Sequence, residues 1–113
     1  MDMTTTDIAD ARLVKVIDSR IDAAVAIQFK DTLRAVTQGG PHRVVLDLSD
    51  VTFIDSSGLG AVVAGMKLLN GDHVLELACL TPVVAKVFKL TRMDTVFKIH
   101  ADVAAAFPPA QAS

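Results

Sequence analysis

Short apolar runs rich in β-branched residues alternate in this chain with amphipathic stretches of helical length, and that alternation restricts the fold more than any other feature. Val44 to Leu48 is nearly continuously apolar, the pattern of a strand covered by helices on both faces. Arg12 to Ile17 reads as an earlier strand, and Val51 to Ile54, Val74 to Ala78 and Val96 to Ile99 as later ones. Between them, Asp22 offers a side-chain cap for a helix over about 23–37, whose Ala26, Phe29, Leu33 and Val36 fall on one face. Gly39-Gly40-Pro41 ends that helix. A second helical run reaches about Asn70, where Gly71-Asp72 turns the chain. Thr81-Pro82 starts a third helix with a capping hydroxyl and a proline at its first position, and Val83, Val84, Val87, Phe88 and Leu90 supply its core face. Asp102 to Phe107 reads as a short alanine-rich helix, and Met3 to Ile8 as a weakly patterned edge strand. The expectation is an α/β fold, or α+β if the first strand pair is antiparallel. Its sheet is mixed and largely parallel, with four to five strands and about four helices. Residues 1–107 form one domain, and 108–113 have the composition of a disordered tail.

The 113 residues suffice for one core but not two. Five Phe are the only aromatics, so that core is aliphatic. A net charge of −2 and scattered Lys and Arg argue against nucleic acid as a partner. Cys79 is the only cysteine and sits in an apolar run, which fits a small buried hydrophobe in a reducing compartment. Residues 1–10 are polar, and the longest apolar stretch, Leu59 to Leu69, is broken by Lys67. A cytoplasmic protein without direct membrane contact is therefore expected. His42, His73 and His100 are isolated and lack metal-ligand spacing. They read as surface residues, and no metal or cofactor is implied.

The segment richest in chemistry is Asp55-Ser56-Ser57-Gly58-Leu59-Gly60, where a strand gives way to a helix. Unpaired N–H groups and the helix dipole make such a place receptive to an anion. Gly58 and Gly60 lack Cβ atoms, which would let another molecule approach closely. The plainer alternative is that Ser56 or Ser57 merely caps the helix. Three sharper motifs fail here. Gly60 and Gly65 have the Walker A spacing, but Met66, Lys67 and Leu68 follow. Val63 stands where a dinucleotide fingerprint needs Gly or Ala, and Ile54 where a nucleophile elbow needs Gly. A hydrolase triad of Ser56 and His100 with Asp72 or Asp94 would also lack room for a substrate pocket.

Val45-Leu46-Asp47-Leu48, followed by Val51, Phe53 and the Asp55-to-Gly60 segment, resembles the anti-sigma factor antagonist family, which has the STAS fold. Thr81-Pro82 and Phe88-x-Leu90-Thr91 match it as well, and the resemblance covers about residues 12–107. It implies a non-enzymatic switch. The unphosphorylated protein binds an anti-sigma factor that is also a serine kinase, so a sigma factor is freed. Phosphorylation ends the binding, and a PP2C-type phosphatase resets it. The resemblance places the phosphate on Ser56, with Ser57 as second choice. The partner-binding residues on this reading are Asp22, Asp55, Ser56, Ser57, Gly58, Leu59 and Gly60. The rival job on the same fold is a non-phosphorylated STAS subunit of a transporter or lipid-trafficking complex. A phosphate at a helix N-terminus is expected not to unfold the domain, while a dianion in an interface disfavours docking. Two residues depart from the family's pattern: Ser19 before Asp22, and Arg92 where a glycine often follows the third helix. Arginine is poorly suited to a left-handed cap, so that loop is expected to differ.

Overall fold

The structure, a computed structural model, describes residues 1–107; the expectation for the tail lies outside them. Strand β1 (Asp2–Ile8) runs antiparallel to β2 (Ala11–Ile17) over its whole length. Short β3 (Arg20–Ile21) leads into helix α1 (Ala26–Thr37). Strand β4 (Arg43–Asp47), short β5 (Phe53–Ile54) and helix α2 (Ser56–Leu69) follow. Then come β6 (Val74–Ala78), α3 (Pro82–Leu90), a 3-10 turn at Met93–Thr95, β7 (Ile99–His100) and α4 (Val103–Ala106). The main sheet has the order β1-β2-β4-β6-β7, parallel except at the β1–β2 edge, so the mixed α/β architecture is as expected.

The two faces of the sheet differ. One carries the main core, where Val14, Val16, Val44, Leu46, Leu75 and Leu77 pack with Phe29 and Leu33 of α1, Val62 of α2, and Val84 and Phe88 of α3. The other is covered by α4, where Val45, Ala78 and Ala106 pack with Leu13, Cys79 and Phe107. On the first face the helices approach closely: a Cβ on Gly65 of α2 would lie 2.9 Å from Leu33 Cδ2 of α1.

The weakly patterned edge strand expected over Met3–Ile8 is present, running from Asp2 to Ile8, because its threonines suit a half-solvated strand that shows no clean apolar alternation. Several other local expectations need correction. The expected strand over Val51–Ile54 shrinks to Phe53–Ile54, which pairs with Arg20–Ile21 in a separate two-stranded parallel ribbon. The expected strand over Val96–Ile99 shrinks and shifts to Ile99–His100, because the chain leaving the 3-10 turn at Met93–Thr95 is still turning at Val96 and Phe97. Helix α1 starts at Ala26 and not Ala23, with no side-chain cap; Asp22 instead closes the preceding turn by accepting from Ala24 N at 3.1 Å. Thr81 does sit before Pro82 at the start of α3, but its hydroxyl donates to Val51 O at 2.7 Å and does not cap. On α3, Val84 and Phe88 are buried while Val83 and Leu90 face solvent. Cys79 is half-buried, and burial is the largest influence pushing its thiol pKa up.

Arg92 itself takes the left-handed conformation, with φ 60° and ψ 17°. A side chain there is strained against the following carbonyl. Arg92→Gly is therefore expected to stabilise the domain by about 0.5–1 kcal/mol, part of the gain being offset by glycine's greater freedom when unfolded. A urea melt showing no rise in midpoint would contradict this.

Candidate functional site

The Asp55-to-Gly60 segment lies where the β3–β5 ribbon meets the start of α2. Asp55, not a serine, is the cap: its Oδ1 accepts from Gly58 N at 2.7 Å. Its Oδ2 accepts from Ala23 N at 3.3 Å, so one carboxylate holds both the start of α2 and the turn before α1. The backbone of Asp55 adds a bond from its N–H to Ile21 O at 3.4 Å. With the cap supplied next door, Ser56 and Ser57 are left exposed, and neither hydroxyl takes part in a hydrogen bond among the described residues. The capping role considered for either serine is thereby excluded.

The two glycines play different parts. Gly58 is buried, and a Cβ there would lie 1.8 Å from Ile21 O. Its missing side chain serves contact between α2 and β3, not the approach of another molecule as expected from sequence. Gly60 meets nothing within 4 Å and leaves the surface open. Leu59 is half-buried against the main core.

Asp22 sits beside this segment. Its Oδ2 accepts from Arg20 Nε at 3.1 Å, and the Arg20 guanidinium lies 4.1 Å from the centre of the Phe53 ring. The expected residues Asp22, Asp55, Ser56, Ser57, Gly58, Leu59 and Gly60 thus share one end of the molecule, joined through Asp55. Arg20 is new to this site, and Phe53, part of the family-like motif, had no partner assigned from sequence. Their signal is weak, because only the parallel register of β3 and β5 stacks a guanidinium on that ring.

A second polar cluster lies elsewhere, on the sheet face under α4. Buried Glu76 receives Arg43 Nε and Nη2, both at 2.9 Å, and lies 2.6 Å from His100 Nε2. Arg43 also donates to Ala106 O and stacks on Phe107, so the cluster fastens α4 to the sheet. The hydrogen-bonded Arg43 guanidinium, aided by His100, holds the Glu76 carboxyl at about 2 against the opposing effect of burial. His73 is buried with Nδ1 at 2.7 Å from Pro41 O, so only His42 is the exposed histidine expected from sequence. His100 is tied to Glu76 and makes no bond to Ser56, which leaves the hydrolase triad unassembled.

The profile of the STAS domain matches residues 3–106. The chain belongs to the STAS domain family. It is 33% identical over 96 residues to the Bordetella bronchiseptica protein BtrV, which spans 84% of this chain and 83% of that protein. Identity to the anti-sigma-B factor antagonist of Staphylococcus epidermidis is 25% over 85 residues, covering 74% of this chain and 79% of that one. Among solved structures, an anti-sigma factor antagonist from Mycobacterium paratuberculosis superposes with a TM-score of 0.80 at 25% identity, covering 93% of this STAS chain and 89% of the other. No helix among the described residues of this STAS domain is long and apolar enough to cross a membrane.

Proposed function

We propose that this STAS domain is an anti-sigma factor antagonist, a non-enzymatic binding module switched by phosphorylation of Ser56. The observation that carries the reading is the exposed, uncommitted Ser56 hydroxyl at the first position of α2, beside a helix start already capped by Asp55. The names of its relatives support the antagonist part of this reading. In the unmodified state, the face built from Asp22, Asp55, Ser56, Ser57, Leu59 and Gly60 docks on an anti-sigma factor that is also a serine kinase, in the cytoplasm. That kinase moves the γ-phosphoryl group of ATP onto Ser56 Oγ. The phosphate adds about −1.5 to −2 charges at pH 7. A hundredfold loss of affinity needs about 2.8 kcal/mol, and desolvating an unpaired charge in an interface costs several kcal/mol. A PP2C-type phosphatase removes the phosphate and restores docking. Gly58 supports this face from behind and is not itself a contact.

Incubating the protein with candidate serine kinases and ATP, followed by intact-mass measurement, tests the assignment. Ser56→Ala is expected to abolish phosphate incorporation while retaining the complex. Ser56→Asp is expected to weaken the complex, though less than phosphate does, because one carboxylate carries less charge than a phosphate dianion. Stoichiometric incorporation into Ser56→Ala would move the site to Ser57.

A further inference from the structure

Asp55 touches both the modification segment and the turn that carries Asp22, and the two contacts are unequal. Its Oδ1 holds Gly58 N at 2.7 Å, whereas Oδ2 holds Ala23 N at 3.3 Å. The first contact belongs to a helix end that cannot shift toward β3, because Gly58 already abuts Ile21 O. The second belongs to a short turn, residues 22–25, exposed at Ala23 and Ala24 and leading into a helix with no side-chain cap of its own. Any disturbance of the Asp55 carboxylate is therefore taken up at the turn. The same turn presents Asp22, held by Arg20.

Resting on the phosphorylation reading above, we infer that Asp55 is a positioning residue that relays the state of Ser56 to the Asp22 turn. A phosphate on Ser56 places a dianion on the residue next to the Asp55 carboxylate. The two anions repel. The carboxylate yields at its longer bond, Ala23 N is released, and the turn loosens at Ala23 while the bonds from Ala24 N and Val25 N to Asp22 still close it. Phosphorylation then alters the docking face at two places, by charge at Ser56 and by shape at Asp22. No movement of the sheet or of α2 is involved.

The test needs no kinase. Phosphoserine is installed at position 56 during translation, and backbone amide exchange is followed by NMR. The Ala23 amide is expected to exchange about threefold faster or more in the phosphorylated protein, as local opening of a surface turn requires. The Leu59 amide, bonded to Asp55 O at 2.8 Å, is expected to stay unchanged. Asp55→Asn provides the second arm. Its single acceptor oxygen keeps the Gly58 cap and presents an amide that cannot accept from Ala23. Unmodified Asp55→Asn is therefore expected to show the fast Ala23 exchange already, with no further change when Ser56 carries phosphate. Unchanged Ala23 exchange in the phosphorylated wild-type protein overturns the relay. A further acceleration in phosphorylated Asp55→Asn overturns it as well, since the signal would then bypass Asp55. Failure of every kinase to modify Ser56 counts against the proposed function and leaves this measurement intact.

Discussion

Gly58→Ala is expected to destabilise the domain by about 3 kcal/mol or more, a large fraction of the roughly 5–15 kcal/mol that holds a domain of this kind together. The added Cβ would lie 1.8 Å from Ile21 O and 2.6 Å from Ile21 C, both backbone atoms. A flexible side chain could swing aside, but here either β3 or the start of α2 must move. Moving β3 breaks its pairing with β5 and the bond from Asp55 N to Ile21 O. Gly60→Ala, two residues along the same helix, is the control. Its Cβ meets nothing within 4 Å, so better helix propensity is expected to stabilise it by about 0.5–1 kcal/mol. Urea melts of both variants give the comparison directly. Equal midpoints would mean that Gly58 does not seat α2 on β3.

This pair of glycines also marks the limit of what the sequence discloses. Both stand in one motif and read alike, as places open to the approach of another molecule. Only the packing of β3 behind α2 separates them, and β3 is two residues long with no pattern of its own. The same holds at the cap. Two serines at a helix start look like caps, yet the residue before them does that work, and so both hydroxyls stay free. The main strands and helices were legible because Val44–Leu48 and Val74–Ala78 are short, nearly continuous apolar runs and because Phe29 and Leu33 stand at helical spacing. The β3–β5 ribbon was not, since two-residue strands present no period to read. Arg92 is a different case: a left-handed conformation costs an L residue about 1–2 kcal/mol, and the chain adopts it there all the same.

Glu76 gave a sequence signal that could have been followed: one carboxylate inside the apolar strand Val74-Leu75-Glu76-Leu77-Ala78. A buried charge needs a partner, and here it has Arg43 and His100. Glu76→Ala leaves Arg43 near the protein interior without its carboxylate and removes a bond to His100. The expected loss is about 3–5 kcal/mol, with α4 the first element to loosen because Arg43 also holds Ala106 O. The pH dependence follows from the direction of the shift. The folded-state value of about 2 lies below the ordinary 4.5, so the stabilisation is complete above about 4.5 and is lost as the pH falls toward 2. The shift corresponds to about 3 kcal/mol at neutral pH. Urea melts of the wild type between pH 6 and about 2 are therefore expected to show a decline that is smaller by that amount in Glu76→Ala. Replacing Arg43, Glu76 and His100 together with apolar residues of similar volume separates two meanings of the cluster. Recovery of most of the stability would show that the ion pairs fasten α4 no better than well-packed hydrophobic side chains. A triple variant as unstable as Glu76→Ala would show that the fork of Arg43 onto Glu76 and Ala106 is itself what seats the C-terminal helix.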